Sequence, residues 1–260
     1  MSIWLQILIF GLTGFLIYVG VYVVVPKRTE QGHSEIVSFF GSLWLPVLLL
    51  TPTALLLYLY LEGGRFDLQS IMVRFRFLAL TGSDWYWVVG GILVTVVADQ
   101  LLAPLGKKIA QIKALSPPNY LPAPFNPLKP LKIPIIQFFD VKLPGNWKFL
   151  LIFIPLHLVA MFSEEVMWRG FLLPIQETMF GNFAWVINGL LWAWLVHAIL
   201  KWHFIGMLPG MLVAPLVAQM TGSTWSAVIV HVVPNSILWI LLFWGVLSKS
   251  TKGNQEPAGD

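Results

Sequence analysis

Cysteine is absent from this 260-residue chain, which excludes a disulfide framework and any thiol nucleophile. Charge is scarce. Asp, Glu, Lys and Arg make up 11% of the residues, against about a quarter in an ordinary soluble domain. The HExxH zinc motif does not occur. The start, MSIWLQ, carries no basic residue, whereas a secretory signal opens on a basic region; the first apolar run is therefore expected to remain as a membrane span. What the chain has in quantity is apolar surface: 57% hydrophobic residues, including 13 Trp and 18 Phe, and a mean hydropathy of +0.78. Apolar runs of this length leave no room for a soluble domain. Backbone groups in lipid must be satisfied within each segment, so the expected fold is an all-α polytopic transmembrane bundle. The net charge of +4 does not indicate a nucleic-acid partner, because the basic residues cluster in loops between apolar runs. The lipid bilayer is the expected partner.

A span needs about 20 mostly apolar residues, and seven segments qualify or nearly do: Ile3–Val25, Ile36–Leu61, Trp85–Leu105, Trp147–Pro174, Phe183–Leu200, Phe204–Met220 and Trp225–Leu247. Phe66–Leu80 is shorter, contains Arg74 and Arg76, and follows Glu62-Gly63-Gly64; it predicts an amphipathic interfacial helix. No internal repeat is present. The resulting division is 1–105 for the N-terminal helices, 106–146 for a Pro/Lys-rich cytoplasmic loop, 147–247 for a catalytic core, and 248–260 for a disordered cytoplasmic tail. The long stretch 104–146 holds nine prolines and six lysines. Proline at this density blocks helix. The loop reads either as a basic linker on anionic headgroups or as a lid over a substrate path. Lys27, Arg28, the six loop lysines, Lys148, Lys201, Lys249 and Lys252 fall on one side of a seven-span arrangement, and Arg65, Arg74 and Arg76 on the other. The positive-inside rule then puts the N-terminus outside and the C-terminus in the cytoplasm, in the plasma membrane if the source is bacterial.

Ionisable side chains within spans are costly, at about 2.5–3.5 kcal/mol on insertion scales, and are functional candidates for that reason. The fourth span carries Glu164, Glu165 and Arg169 in SEEVMWRG. Glu165 and Arg169 are four apart and share a helix face, so they are expected to pair and support the site. Glu164 is rotated about 100° away and is left freer to act. The fifth span carries His197, and the seventh His231 and Asn235, again four apart, with Pro234 between them. Three separate apolar helices with such groups are expected to converge on one wet interior cavity. A carboxylate beside an imidazole can polarise water, and an imidazole with a carboxamide can donate to a developing oxyanion. The catalytic candidates are therefore Glu164, His197, His231 and Asn235, and the chemistry they suit is peptide-bond hydrolysis.

These residues carry a resemblance. EEVMWR at 164–169, AWLVH at 193–197 and HVVPN at 231–235 resemble the EExxxR, FxxxH and HxxxN/D motifs of the CAAX prenyl protease and bacteriocin-processing family, also known as the abortive-infection family of intramembrane proteases. The likeness covers roughly residues 147 to 245. It implies an intramembrane endopeptidase in which Glu164 and His197 activate water, His231 and Asn235 form the oxyanion site, and Glu165 and Arg169 hold the first motif in place. It also implies a peptide or protein substrate, prenylated or membrane-embedded. One position departs from the family pattern: Ala193 stands where Phe is usual, which bears on the shape of the cleft.

Two other readings use the same residues. Glu164, His197 and His231 are acceptable zinc ligands, which gives a metalloprotease; no metal or other cofactor is required by the first reading. A non-catalytic immunity, scaffold or proton-coupled component would also bury Glu and His. Depth poses a further problem. With straight vertical helices, His231 lies near one membrane face and His197 near the other. Either the helices are tilted or broken around the site or the span boundaries differ from those above, and Gly206, Pro209, Gly210 and Pro215 make the sixth span the expected place for irregularity.

Overall fold

The computed structural model describes residues 1–248. The expected tail, with Lys249 and Lys252, lies outside the described residues. Among those described, the chain is a helical bundle with six runs long and apolar enough to cross a membrane. The first run, Ile3–Glu30, joins α1 (Ile3–Val19) to α2 (Val25–Glu30) through a π-helical turn at Gly20–Val24. The second is formed by α3 (Glu35–Leu48) and α4 (Leu50–Leu61). After the short α5 (Leu68–Arg74) comes α6 (Asp84–Ala110). The fourth run, Trp147–His197, contains α7 (Trp147–Glu165), a π-helical segment Val166–Leu172, α8 (Leu173–Phe180), α9 (Ala184–Leu191) and a second π-helical segment Trp192–His197. α10 (Phe204–Thr221) and α11 (Thr224–Leu247) complete it.

The fourth run merges the fourth and fifth expected spans. At 51 residues it would reach about 77 Å if straight, far beyond a hydrocarbon core of about 30 Å. It folds back at Gly181, whose φ of +55° suits a residue without Cβ, so α8 packs on α9. The returning leg, Ala184–His197, covers about 21 Å and stops short of a full crossing. Six runs rather than seven spans result, and His197 is carried to the interior rather than to a membrane face. The break falls in this leg, not in the sixth span: α10 is continuous despite Pro209 and Pro215.

The long loop fills the space below that leg. It begins after Ala110, not at 106, because α6 continues through Lys107 and Lys108. It ends in a two-stranded hairpin, β1 (Gln137–Phe138) and β2 (Val141–Lys142). Leu121, Phe138, Phe139 and Leu143 are buried. Tyr120 Oη donates to the Val21 carbonyl at 2.9 Å, and Trp202 Nε1 donates to the Phe125 carbonyl at 2.8 Å. The loop is thus a packed plug and not a free basic linker.

The expected interfacial segment over 66–80 holds a shorter helix. Helix persists only for Leu68–Arg74, and the chain then turns through Arg76 at φ +55°. Protein contacts fasten its C-terminal part. Arg74 pairs with Glu62 and donates to the Gly170 carbonyl at 3.2 Å. Arg76 pairs with Glu177. Phe75 is fully buried, and its carbonyl accepts from Thr224 Oγ1 at 2.7 Å. The segment is a strap across α4, α8 and α11, while Phe66, Leu68 and Val73 remain exposed.

Candidate active site

Glu164 and Glu165 end α7, and the π-helical segment begins at the next residue. A π turn bonds i to i+5 and leaves the ladder locally irregular, so displaced carbonyls need other partners. Asn188 Nδ2 donates to the Trp168 carbonyl at 2.9 Å, and Arg74 reaches Gly170 from the strap. Such irregular turns recur at functional sites. The second π segment ends on His197 itself, with Ala198 N donating to the Ala193 carbonyl at 2.7 Å. α11 supplies His231 and Asn235.

The three motifs meet. Glu164 Oε1 lies 3.7 Å from His197 Nε2, and Glu164 Oε2 lies 3.9 Å from His231 Nε2. Arg169 Nη1 donates to Glu165 Oε1 at 3.0 Å, and both side chains are fully buried. The same carboxylate oxygen is 2.8 Å from His231 Nδ1. A carboxylate can only accept, so His231 Nδ1 carries a proton. Glu165 therefore orients His231 as well as holding Arg169. Asn235 lines the cavity with Glu164, His197 and His231, but its Nδ2 donates to the His231 carbonyl of its own helix at 2.9 Å.

Trp192 sits at the centre. Its Nε1 donates to Glu164 Oε1 at 3.3 Å. Its ring meets those of His197 and His231 edge-on, at 5.0 and 5.3 Å, and Arg169 stacks over it at 3.9 Å. In an α-helix, residues 192 and 197 would diverge; the π turn brings them onto one side. At the departing position, Ala193 is buried beside the buried Trp192, while Trp194 is exposed.

A cavity of about 150 Å³ is lined by Glu164, His197, His231, Asn235, His157 and Phe125, among others. His157 gave a sequence signal that went unread: it lies seven residues, two helical turns, before Glu164 and so on the same face. Asp99 is a second such residue, an ionisable group within the third apolar run. Asp99 and His203 both border Gly206: a Cβ there would lie 3.0 Å from Asp99 Oδ1 and 3.7 Å from His203 Nδ1. They line a second cavity of about 210 Å³, with Thr95, that shares His203, Met207, His231 and Asn235 with the first.

Among the described residues no group of three or more His, Cys, Asp or Glu side chains is arranged to hold a metal ion.

No curated protein and no solved structure matches the chain. Residues 146–237 match the family model described as type II CAAX prenyl endopeptidase, Rce1-like. The matched stretch runs from the start of α7 through Asn235 and so takes in all three motifs. Over residues 146–237, this multi-pass helical membrane protein is therefore similar to the Rce1-like family of type II CAAX prenyl endopeptidases.

Proposed function

We propose that the chain is an intramembrane endopeptidase that hydrolyses a peptide bond with water activated by Glu164. The observation that carries this is one carboxylate held between two imidazoles, at 3.7 and 3.9 Å, on the wall of an interior cavity. Separations above 3.5 Å suit a bridging water better than direct hydrogen bonds. Glu164, helped by His197, takes a proton from that water as it attacks the scissile carbonyl, and returns it to the amide nitrogen as the C–N bond breaks and the amine leaves. His231 donates through Nε2 to the developing oxyanion. Because Nδ1–H is committed to Glu165, donation from Nε2 requires the imidazolium form. Glu164, Glu165, Arg169 and His231 then sum to zero formal charge, a condition that suits burial. Asn235 joins the oxyanion site by turning its carboxamide from the His231 carbonyl into the cavity. No step is routed through a metal.

The substrate is a peptide or protein at the membrane, with a prenylated chain terminus the class suggested by the family description. The excess of lysine in the 107–148 region supports an orientation with this loop in the cytoplasm and the N-terminus outside. Comparing membrane proteomes of cells bearing the wild type and the Glu164→Gln variant tests the reading. Uncut substrates are expected to accumulate in the variant, and their termini to mark the cleavage site. Identical proteomes, with the cellular function kept by Glu164→Ala, would favour a scaffold instead.

A further inference from the structure

His157 takes no part in the reaction proposed above, yet its ring lines the same cavity as Glu164 and His231. Its orientation is fixed by aromatic neighbours. Trp44 stacks on it at 5.6 Å with the planes 22° apart. Phe153 lies at 5.6 Å, and Trp239 meets it edge-on at 5.9 Å. Trp239 also decides its protonation. The indole Nε1–H can only donate, and it points at His157 Nδ1 from 3.0 Å. Nδ1 must therefore be bare, which leaves the neutral ring its single proton on Nε2. Among the described residues, Nε2 has no hydrogen-bond partner. The ring is held as a neutral donor and cannot also take a proton on Nδ1 without losing the Trp239 bond.

The position of this donor is set by the helix. His157 precedes Glu164 by seven residues, about 10 Å along α7 and on the same face. That is too far to share the scissile carbonyl. An extended peptide advances about 3.3 Å per residue, so the same distance spans about three substrate residues. A neutral N–H suits a neutral acceptor, and a main-chain carbonyl offers one wherever the substrate lies extended.

Resting on the protease reading above, we propose that His157 Nε2–H binds a main-chain carbonyl of the substrate about three residues from the scissile bond, in the tautomer imposed by Trp239. His157 is then a residue that selects substrate length and register, not a base.

Two measurements on the purified full chain test this. The first is independent of cleavage. With 15N-labelled histidine, the His157 ring, assigned from its loss in His157→Gln, is expected to show a protonated Nε2 and a bare Nδ1. Trp239→Phe is expected to mix the tautomers. A protonated Nδ1 in the wild type would overturn the proposal. The second uses a ladder of peptides extended by one to four residues on either side of the scissile bond. In the wild type, kcat/KM is expected to step up at about the third residue on one side. In His157→Phe that long-over-short advantage is expected to fall about three- to tenfold, the worth of one hydrogen bond. His157→Gln, which keeps an N–H, is expected to restore most of it. A uniform loss across all lengths, or a Gln variant no better than Phe, would overturn the proposal and leave the protease reading standing. A wild type that cuts no member of the ladder, with the expected 15N signature present, would remove the protease reading and this substrate contact with it.

Discussion

Glu165 accepts from both Arg169 and His231 through one oxygen and has no exposed surface. It links a structural ion pair to the side chain proposed to donate to the oxyanion, so its replacement has two effects. Glu165→Gln leaves Arg169 charged and buried without its directly paired carboxylate, at a cost of up to about 3–5 kcal/mol. A lowered unfolding midpoint in detergent is expected, together with reduced cleavage because His231 loses its orienting acceptor. An unchanged midpoint would contradict the pairing. The Arg169 half of this arrangement was legible in the sequence, since four-residue spacing on a helix brings two side chains together. The His231 half was not: residues 165 and 231 lie on helices whose relative rotation depends on packing. Trp192 was not legible as a site residue for a related reason. Side-chain direction was inferred from an α-helical period, and a π turn changes that period.

Helix α1 places the segment that carries His197. Gly14 lies against the Leu195 carbonyl so closely that a Cβ there would overlap it. In Gly14→Ala the obstacle is backbone and cannot rotate away, so Trp192–His197 must shift. Cleavage is expected to fall at least tenfold with a few kcal/mol of lost stability, in the range of overpacked sites. Retained activity would show that His197 does not depend on this contact. The loop is fastened at its other end by Asp140, whose Oδ1 accepts from Ile36 N at 3.0 Å at the start of α3. Burial works against this carboxylate's charge. Hydrogen bonds from the Ser34 hydroxyl and from the Ile36 and Glu35 N–H groups outweigh it and hold the group below the usual carboxylate range. A depressed carboxylate stabilises above its unfolded pKa, about 4, and the contribution is lost as pH falls through the folded value. Hydrogen exchange at Ile36 N–H is therefore expected to quicken, relative to its neighbours, on acidification below about pH 4; Asp140→Asn is expected to remove that dependence. This packing was hidden in the sequence because proline-rich composition excludes helix but says nothing about whether an irregular segment docks.

In the whole molecule, several exposed aromatics lie at the two ends of the bundle. Trp4 at the start of α1, Tyr60 at the end of α4, Tyr86 at the start of α6 and Phe183 at the α8–α9 turn are all exposed, and alternating helix directions put them at one end of the bundle. Trp147 and Phe243 meet at the other, their rings 5.7 Å apart. Such belts mark the two water–lipid boundaries. The helical class and most spans were legible from hydropathy alone. The half-length fifth leg was not, because apolarity measures solvent preference and not how far a helix travels before it turns. The same leg removes the depth conflict between His197 and His231. The cysteine-free background makes orientation directly testable. Arg65→Cys and Lys113→Cys are expected to react with an impermeant maleimide from opposite sides, Arg65→Cys from outside. Reaction of both from one side would contradict the arrangement.

The most direct test is cleavage of a prenylated peptide by the purified chain in lipid vesicles, wild type against Glu164→Gln. Loss of a general base is expected to slow cleavage by about 10²–10⁴-fold while the unfolding midpoint stays the same or rises. Equal rates from the two proteins would contradict the assignment of Glu164 as the group that activates water.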